Sequence, residues 1–138
     1  KGFLESIIND CDARVWGCKE IRWAVDYQDK KTLIPYKQFH KRLDHLKSLY
    51  PNCKFIFTER DLESQLKSGW WQTTENARDI ISKLKKYYQR YMKTSDNSYM
   101  VSYNDIVNCN NNFKDLFKFL GEEFNQRSYN KIINKNPG

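Results

Sequence analysis

Apolar positions along the chain switch between a helical and an extended rhythm. Phe3, Leu4, Ile7 and Ile8 keep a helical interval, which predicts the tail of a helix over residues 2–8. Arg14 to Arg22 opens apolar and ends polar, and predicts a short buried strand whose carboxyl end emerges at Lys19 or just after. Pro35 is tolerated in a first helical turn. Phe39, Leu43, Leu46 and Leu49 then hold one face of a helix that stops at Tyr50-Pro51-Asn52. Lys54-Phe55-Ile56-Phe57-Thr58 is the clearest strand, a continuous apolar run of the kind buried in a parallel sheet. Asp61 is a good N-cap for a helix carrying Leu62, Leu66, Trp70 and Trp71 at helical intervals. A long helix is expected from Glu75 to about Lys93, with Ile80, Ile81, Leu84, Tyr87, Tyr88 and Tyr91 turned inward. Ser98 to Tyr103 predicts a third strand. Phe113, Leu116, Phe117 and Leu120 predict an amphipathic helix closed by Gly121 as its C-cap, and a last helix falls between Asn125 and Asn134. The alternation predicts a single α/β domain over residues 1–138, a small parallel sheet flanked by helices.

Composition narrows the classes. A length of 138 residues suits one domain. A mean hydropathy of -0.88 and the lack of any run near the roughly 18 apolar residues of a span exclude a membrane-spanning segment in this sequence. Aromatics at 15% exclude a disordered chain. With 24 Lys+Arg against 17 Asp+Glu, the net charge of +7 favours anionic partners such as nucleotides, acidic glycans or nucleic acid. Nucleic acid is the weakest of these, because the charge is spread along helices and no aromatic-basic recognition motif accompanies it. Cys11, Cys18, Cys53 and Cys109 lie far apart with no CxxC pair, so their spacing gives no zinc signal. Cys18 and Cys53 sit in apolar stretches, and all four read as reduced, structural thiols suited to a reducing, cytoplasmic compartment. The run Asn108 to Asn112, among thirteen asparagines, reads as compositional bias. Lys1 is not an initiator Met, and the chain reads as an excised piece of something longer.

Ligands of open parallel sheets bind at the carboxyl ends of the strands. Three predicted strands end in polar groups here: Lys19-Glu20-Ile21-Arg22, Thr58-Glu59-Arg60-Asp61 and Ser102-Tyr103-Asn104-Asp105. Arg60 leaves a strand immediately before a helix, so its guanidinium and the helix amides can face one anion. Ser68 follows eight residues on, expected two turns into that helix on the same side, and the pair suits a phosphate monoester. Arg60 pairing on the surface with Asp61 or Glu63 is the alternative. His40 and His45, five apart, do not share a helix face well and read as surface or partly packed residues.

Ile56 to Trp71, with its hydrophobic strand, Arg60-Asp61, Ser68 eight residues after the arginine, then Gly69 and Trp70, resembles the 3'-phosphate-binding segment of sulfotransferases that use 3'-phosphoadenosine 5'-phosphosulfate (PAPS). Tyr99 to Ile106 is similar to that family's strand ending in Tyr-Glu-Asp-Leu, and Phe119-Leu120-Gly121 looks like its Phe-Leu-Gly. Trp16 to Arg22 looks like the Gly-x-Lys-Glu-x-Arg strand of bacterial, carbohydrate-type members. The three stretches occur in family order and cover most of Trp16 to Gly121.

The resemblance implies a partial P-loop-like sulfotransferase fold, PAPS as co-substrate, no metal, and a carbohydrate or small-molecule acceptor. It places Arg60 and Ser68 on the 3'-phosphate and Tyr103 against the adenine. Lys19 would stand beside the transferring sulfuryl group, Glu20 would act as general base or merely pair with Lys19 or Arg22, and Arg22 would hold an acidic acceptor. Arg127, Lys131 and Lys135 fall where the family has a basic C-terminal loop, without its Lys-Gly-x-x-Gly form. The Gly-, Ser- and Thr-rich loop that cradles the 5'-phosphosulfate has no counterpart before Trp16, so the sequence carries half of such a site. A non-catalytic sulfotransferase-like module binding a nucleotide, an anion or a protein partner is the alternative.

Overall fold

The structure is a computed structural model that describes residues 14–19, 24–26, 28–29 and 32–135. Its elements, in chain order, are α1 (Tyr36–Leu49), β1 (Phe55–Glu59), α2 (Leu62–Leu66), a 3-10 helix (Gly69–Thr73), α3 (Ala77–Thr94), β2 (Ser98–Ser102), α4 (Tyr103–Asn108), α5 (Asn111–Phe119) and α6 (Gln126–Lys135). The expected α/β class is present, as a two-stranded parallel sheet with helices around it.

Strands β1 and β2 pair in parallel, from Phe55 opposite Ser98 to Glu59 opposite Ser102. A parallel pair needs a long crossover, and α2, the 3-10 helix and α3 supply it. Phe57 and Met100 therefore share one face of the sheet, and Ile56 and Tyr99 share the other. The first face is covered by α1 and α3. Phe57 stacks on Tyr88 with ring centroids 4.4 Å apart and planes 9° from parallel. Tyr91, 1% exposed, meets Phe39, Phe55 and Phe57 edge-on. Ala24, Ile34, Phe39, Leu43 and Leu84 complete this core. The Tyr87 hydroxyl donates to Ile34 O at 2.7 Å, and Arg42 donates to Val25 O at 2.9 Å, which ties the segment before α1 to the helices. On the second face α5 lies along β2, where Tyr99 meets Phe119 at 5.3 Å and Val101 is buried.

The two outer edges of the sheet differ. Phe55 N donates to Asn97 O, so in β1 the backbone groups of Ile56 and Thr58 turn away from β2. Among the described residues no hydrogen bond reaches them, and Ile56 is 40% exposed. The outer edge of β2 is covered instead: Asn112 Nδ2 donates to Met100 O at 3.3 Å, and Ser102 N donates to Asp105 Oδ2 at 2.9 Å.

Four readings need correction. The strand expected to begin at Arg14 is not formed over residues 14–19, which are irregular and exposed; Glu20, Ile21 and Arg22 lie outside the described residues. Val15 and Trp16 lack a sheet neighbour to cover them, and Trp16 packs edge-on against Tyr50 at 5.7 Å. Cys18 is accordingly exposed rather than packed; Cys53 and Cys109 are half-buried, all three are free thiols, and Cys11 lies outside the described residues, as does the helix expected over 2–8. The helix after Asp61 ends at Leu66; Ser68 is extended, Gly69 takes a left-handed φ of 44°, and the chain turns into a 3-10 helix carrying Trp70 and Trp71. Helix α4 was not foreseen: Ser102 and Asp105 form a capping box, so the chain turns helical at Tyr103.

Because Tyr91 fills the space between α1, α3 and β1, Tyr91→Ala should lower stability by about 3–5 kcal/mol. Urea unfolding followed by far-ultraviolet circular dichroism checks this; a loss below about 1 kcal/mol would contradict the packing described.

Candidate functional site at the carboxyl ends of the strands

The register that sets Glu59 opposite Ser102 also sets the residues that follow them side by side. After β1, Asp61 caps α2 by accepting the Ser64 amide at 2.9 Å, and that hydrogen bond, with Arg60 nearby, holds its carboxyl below the usual carboxylate range. The cap fixes the backbone at Arg60 and leaves its side chain exposed at the end of the sheet. After β2, Ser102 Oγ accepts the Asp105 amide at 3.0 Å, which aims Tyr103 out of the same end. The outcome is direct contact: the Arg60 guanidinium carbon sits 4.2 Å from the centroid of the Tyr103 ring.

Beside Arg60 a cavity of about 350 Å³ opens between the end of β1, α2 and α3, lined among others by Gln65, Lys85, Lys86, Tyr88 and Gln89. Lys85 Nζ lies 3.0 Å from Glu59 Oε2. That contact is an ion pair without an aligned hydrogen bond to the buried Glu59 oxygen. Burial pushes the Tyr88 phenol up to about 12, so Tyr88 itself adds no charge to the cavity. Arg60 and Lys86 supply positive charge at the mouth, consistent with an anionic ligand.

Of the residues singled out in the sequence, the structure brings together Arg60 and Tyr103. Ser68 is not on the α2 helix with them: it lies two residues beyond its end, where its hydroxyl donates to Gln65 O at 2.8 Å. Lys19 is exposed in the irregular segment, and among the described residues no contact joins it to Arg60. That segment is anchored elsewhere. Arg14 binds both oxygens of Glu122 at 2.6 Å and Trp16 rests on Tyr50, both at the amino end of β1. Glu20 and Arg22 lie outside the described residues. Arg127, Lys131 and Lys135 are exposed on α6, a helix rather than a loop. His40 pairs with Asp44 at 2.9 Å and packs on Tyr91, and His45 is exposed. Among the described residues no group of three or more His, Cys, Asp or Glu could hold a metal ion, and no helix is long and apolar enough to cross a membrane.

The asparagine run proves to have structural work. Asp105 accepts from Asn110 Nδ2 at 2.6 Å, from the Ser102 amide and from Asn112 Nδ2 at 2.8 Å, and these bonds hold its carboxyl at about 2. Asn110 also caps α5 by accepting the Phe113 amide at 3.1 Å. Spacing gave one usable clue, since Asn110 precedes Phe113 by the three residues of an N-cap bond. The reach of Asn112 to Asp105 across a helix start had no local signature.

Compared with protein-family models, with curated proteins and with solved structures, the chain matches none of them.

The Asp105 network holds the turn that presents Tyr103, and its carboxylate is favoured in the folded state. Its stabilisation is therefore complete above the unfolded value near 4 and is lost as pH falls toward 2. Asp105→Asn should cost about 1 kcal/mol at pH 7, after allowance for solvent screening. It should cost well under half of that at pH 2, where the carboxyl is about half protonated. Thermal unfolding at the two pH values tests this, and an equal loss at both would show that the charge is not what matters.

Proposed function

We propose that this chain is the nucleotide-binding and acceptor-side portion of a PAPS-dependent sulfotransferase with a partial P-loop-like fold, and that its 3'-phosphoadenosine subsite is built on Arg60 and Tyr103. The observation that carries this reading is the 4.2 Å contact of a guanidinium with an aromatic ring at the carboxyl ends of adjacent parallel strands. The donor set suits a 3'-phosphoadenosine group: Arg60 offers the paired N–H donors that match a phosphate, and Tyr103 offers a ring for a purine.

Arg60 on Tyr103 is an exposed cation–π contact worth about 0.5–1 kcal/mol. A charge-assisted bond to phosphate is worth roughly 1.5–3 kcal/mol. The guanidinium would therefore leave the ring for the phosphate and open the ring face for the base. Ser68 has one hydroxyl proton, now on Gln65 O, which the Ser68 amide also reaches at 3.0 Å. The hydroxyl can rotate to a phosphate oxygen without leaving that carbonyl unpaired.

Bound PAPS would supply the sulfuryl group, whose bond to the 5'-phosphate oxygen breaks as a bond to the acceptor hydroxyl oxygen forms. In this reading Lys19 neutralises charge on the departing oxygen, Glu20 takes the acceptor proton, and Arg22 holds an acidic carbohydrate or small-molecule acceptor.

A second reading, a sulfotransferase-like module that binds the nucleotide or another anion without transfer, is favoured by one observation. Lys19 lies in an exposed segment whose anchors, Arg14 on Glu122 and Trp16 on Tyr50, are at the opposite end of the sheet from Arg60.

Calorimetric titration with adenosine 3',5'-bisphosphate tests the subsite common to both. Binding is expected for the unaltered chain, at least ten-fold weaker for Arg60→Ala, a loss of about 1.4 kcal/mol or more, and absent for 5'-AMP, which lacks the 3'-phosphate. Equal binding of 5'-AMP, or an Arg60→Ala variant that binds unchanged, would sink the proposed subsite. Sulfuryl transfer to a carbohydrate acceptor then separates the two readings, with Lys19→Ala expected to abolish transfer while sparing nucleotide binding.

A further inference from the structure

The cavity beside Arg60 holds an acceptor that a phosphate on Arg60 leaves unused. Three of its lining side chains, Arg60, Lys85 and Lys86, can only donate hydrogen bonds. Among its acceptors, Asp61 is committed to capping α2, and the Ser82 hydroxyl already donates to Arg78 O at 2.8 Å. Glu59 is different. It is the last residue of β1 and lines the cavity next to Arg60. Its Oε2 is buried, and among the described residues no hydrogen-bond donor reaches it. Lys85 Nζ, 3.0 Å away, balances the charge but is not aligned to fill that acceptor.

A buried acceptor without a donor costs free energy, so a ligand that supplies one gains affinity. A phosphate dianion cannot be that donor, because it brings only acceptors. A hydroxyl can. In a 3'-phosphorylated ribose the 2'-hydroxyl sits on the carbon next to the phosphate ester, just as Glu59 sits next to Arg60 at the end of β1. Carboxylates hold ribose 2'-hydroxyls in the same way in other nucleotide-binding α/β folds. Gln65 and Gln89 also line the cavity, but a neutral amide oxygen is a weaker acceptor than a carboxylate.

We propose that Glu59 is a specificity-determining residue of the nucleotide subsite. Its carboxylate accepts the 2'-hydroxyl of a ribose whose 3'-phosphate is held by Arg60, so the site selects ribonucleotides over deoxyribonucleotides. Lys85 stays against the carboxylate and offsets its repulsion of the phosphate. This inference rests on the nucleotide reading and adds to it the group that reads the sugar.

Calorimetric titration of the chain with adenosine 3',5'-bisphosphate and with its 2'-deoxy analogue tests it. The unaltered protein should bind the ribose form about ten-fold more tightly. In Glu59→Ala that preference should vanish, because the group that tells the sugars apart is gone. Glu59→Gln keeps a weaker acceptor of the same shape and should give an intermediate preference. A purely structural role for Glu59 would weaken both ligands equally and leave their ratio unchanged. Should Glu59→Ala fail to fold, Glu59→Gln and the ratio in the unaltered protein still decide the matter. Equal binding of the two nucleotides by the unaltered protein would overturn the proposal and leave the nucleotide reading standing. A ten-fold preference that persists in both variants would overturn it too, since another group would then be reading the hydroxyl. Binding of neither nucleotide would bring down the nucleotide reading and this inference with it.

Discussion

Parallel pairing of β1 with β2 is the constraint on which the rest of this structure depends. Parallel strands cannot be joined by a tight turn, so the chain must travel back through α2, the 3-10 helix and α3 before β2 begins. The return helix has to lie on the sheet, and the aromatic side chains of α3 hold it there. Phe57 against Tyr88, and Tyr91 against Phe39, Phe55 and Phe57, link strand, crossover and α1 into one core. The same pairing makes both strands run out at one end. Arg60 and Tyr103, 43 positions apart, become neighbours for that reason.

Each strand end hands its chain to a helix through a side-chain cap, and the caps do different work. Asp61 uses one bond to the Ser64 amide, which orders Arg60 and leaves it exposed. Ser102 and Asp105 use a reciprocal pair, reinforced by Asn110 and Asn112. The second arrangement also covers the outer edge of β2, because Asn112 reaches Met100 O. Among the described residues nothing equivalent lies on the outer edge of β1, where Ile56 and Thr58 turn their backbone groups outward. An unpaired edge commonly invites another strand. Among the described residues the polar network therefore lies beyond β2 and not beyond β1.

The carboxyl-terminal helices form a satellite around Phe113, Phe117, Phe124 and Tyr129 rather than an extension of the main core. Polar links join the parts: Lys54 donates to Phe119 O, Asn112 to Met100 O and the Tyr99 hydroxyl to Asn112, while Tyr129 donates to carbonyls at the end of α4. Arg14 on Glu122 adds the amino-terminal side of the chain to this satellite. Part of the surface charge is paired, Lys83 with Asp79 within α3 and Arg78 with Glu63 between α3 and α2.

The sequence by itself determined the features that depend on neighbours along the chain. The apolar run at Phe55 to Phe57, the cap at Asp61, the inward stripe of α3 and the left-handed Gly121, with φ of 74°, all follow from local sterics and side-chain period. It also marked Arg60 and Tyr103 as strand-end groups. Only the tertiary structure decided what depended on distant partners. The apolar opening of Trp16 to Cys18 predicts a strand, but a strand needs a neighbour's backbone, and over residues 14–19 the chain finds Glu122 and Tyr50 instead. Ser68 kept its spacing from Arg60 but not its helix, because the chain is already extended at Ser68, ahead of the left-handed Gly69. The asparagines around Asn110 looked like bias until Asp105 came within their reach. Period and capping are written in nearest neighbours, whereas pairing and burial are settled only when segments far apart in the chain compete for the same surface.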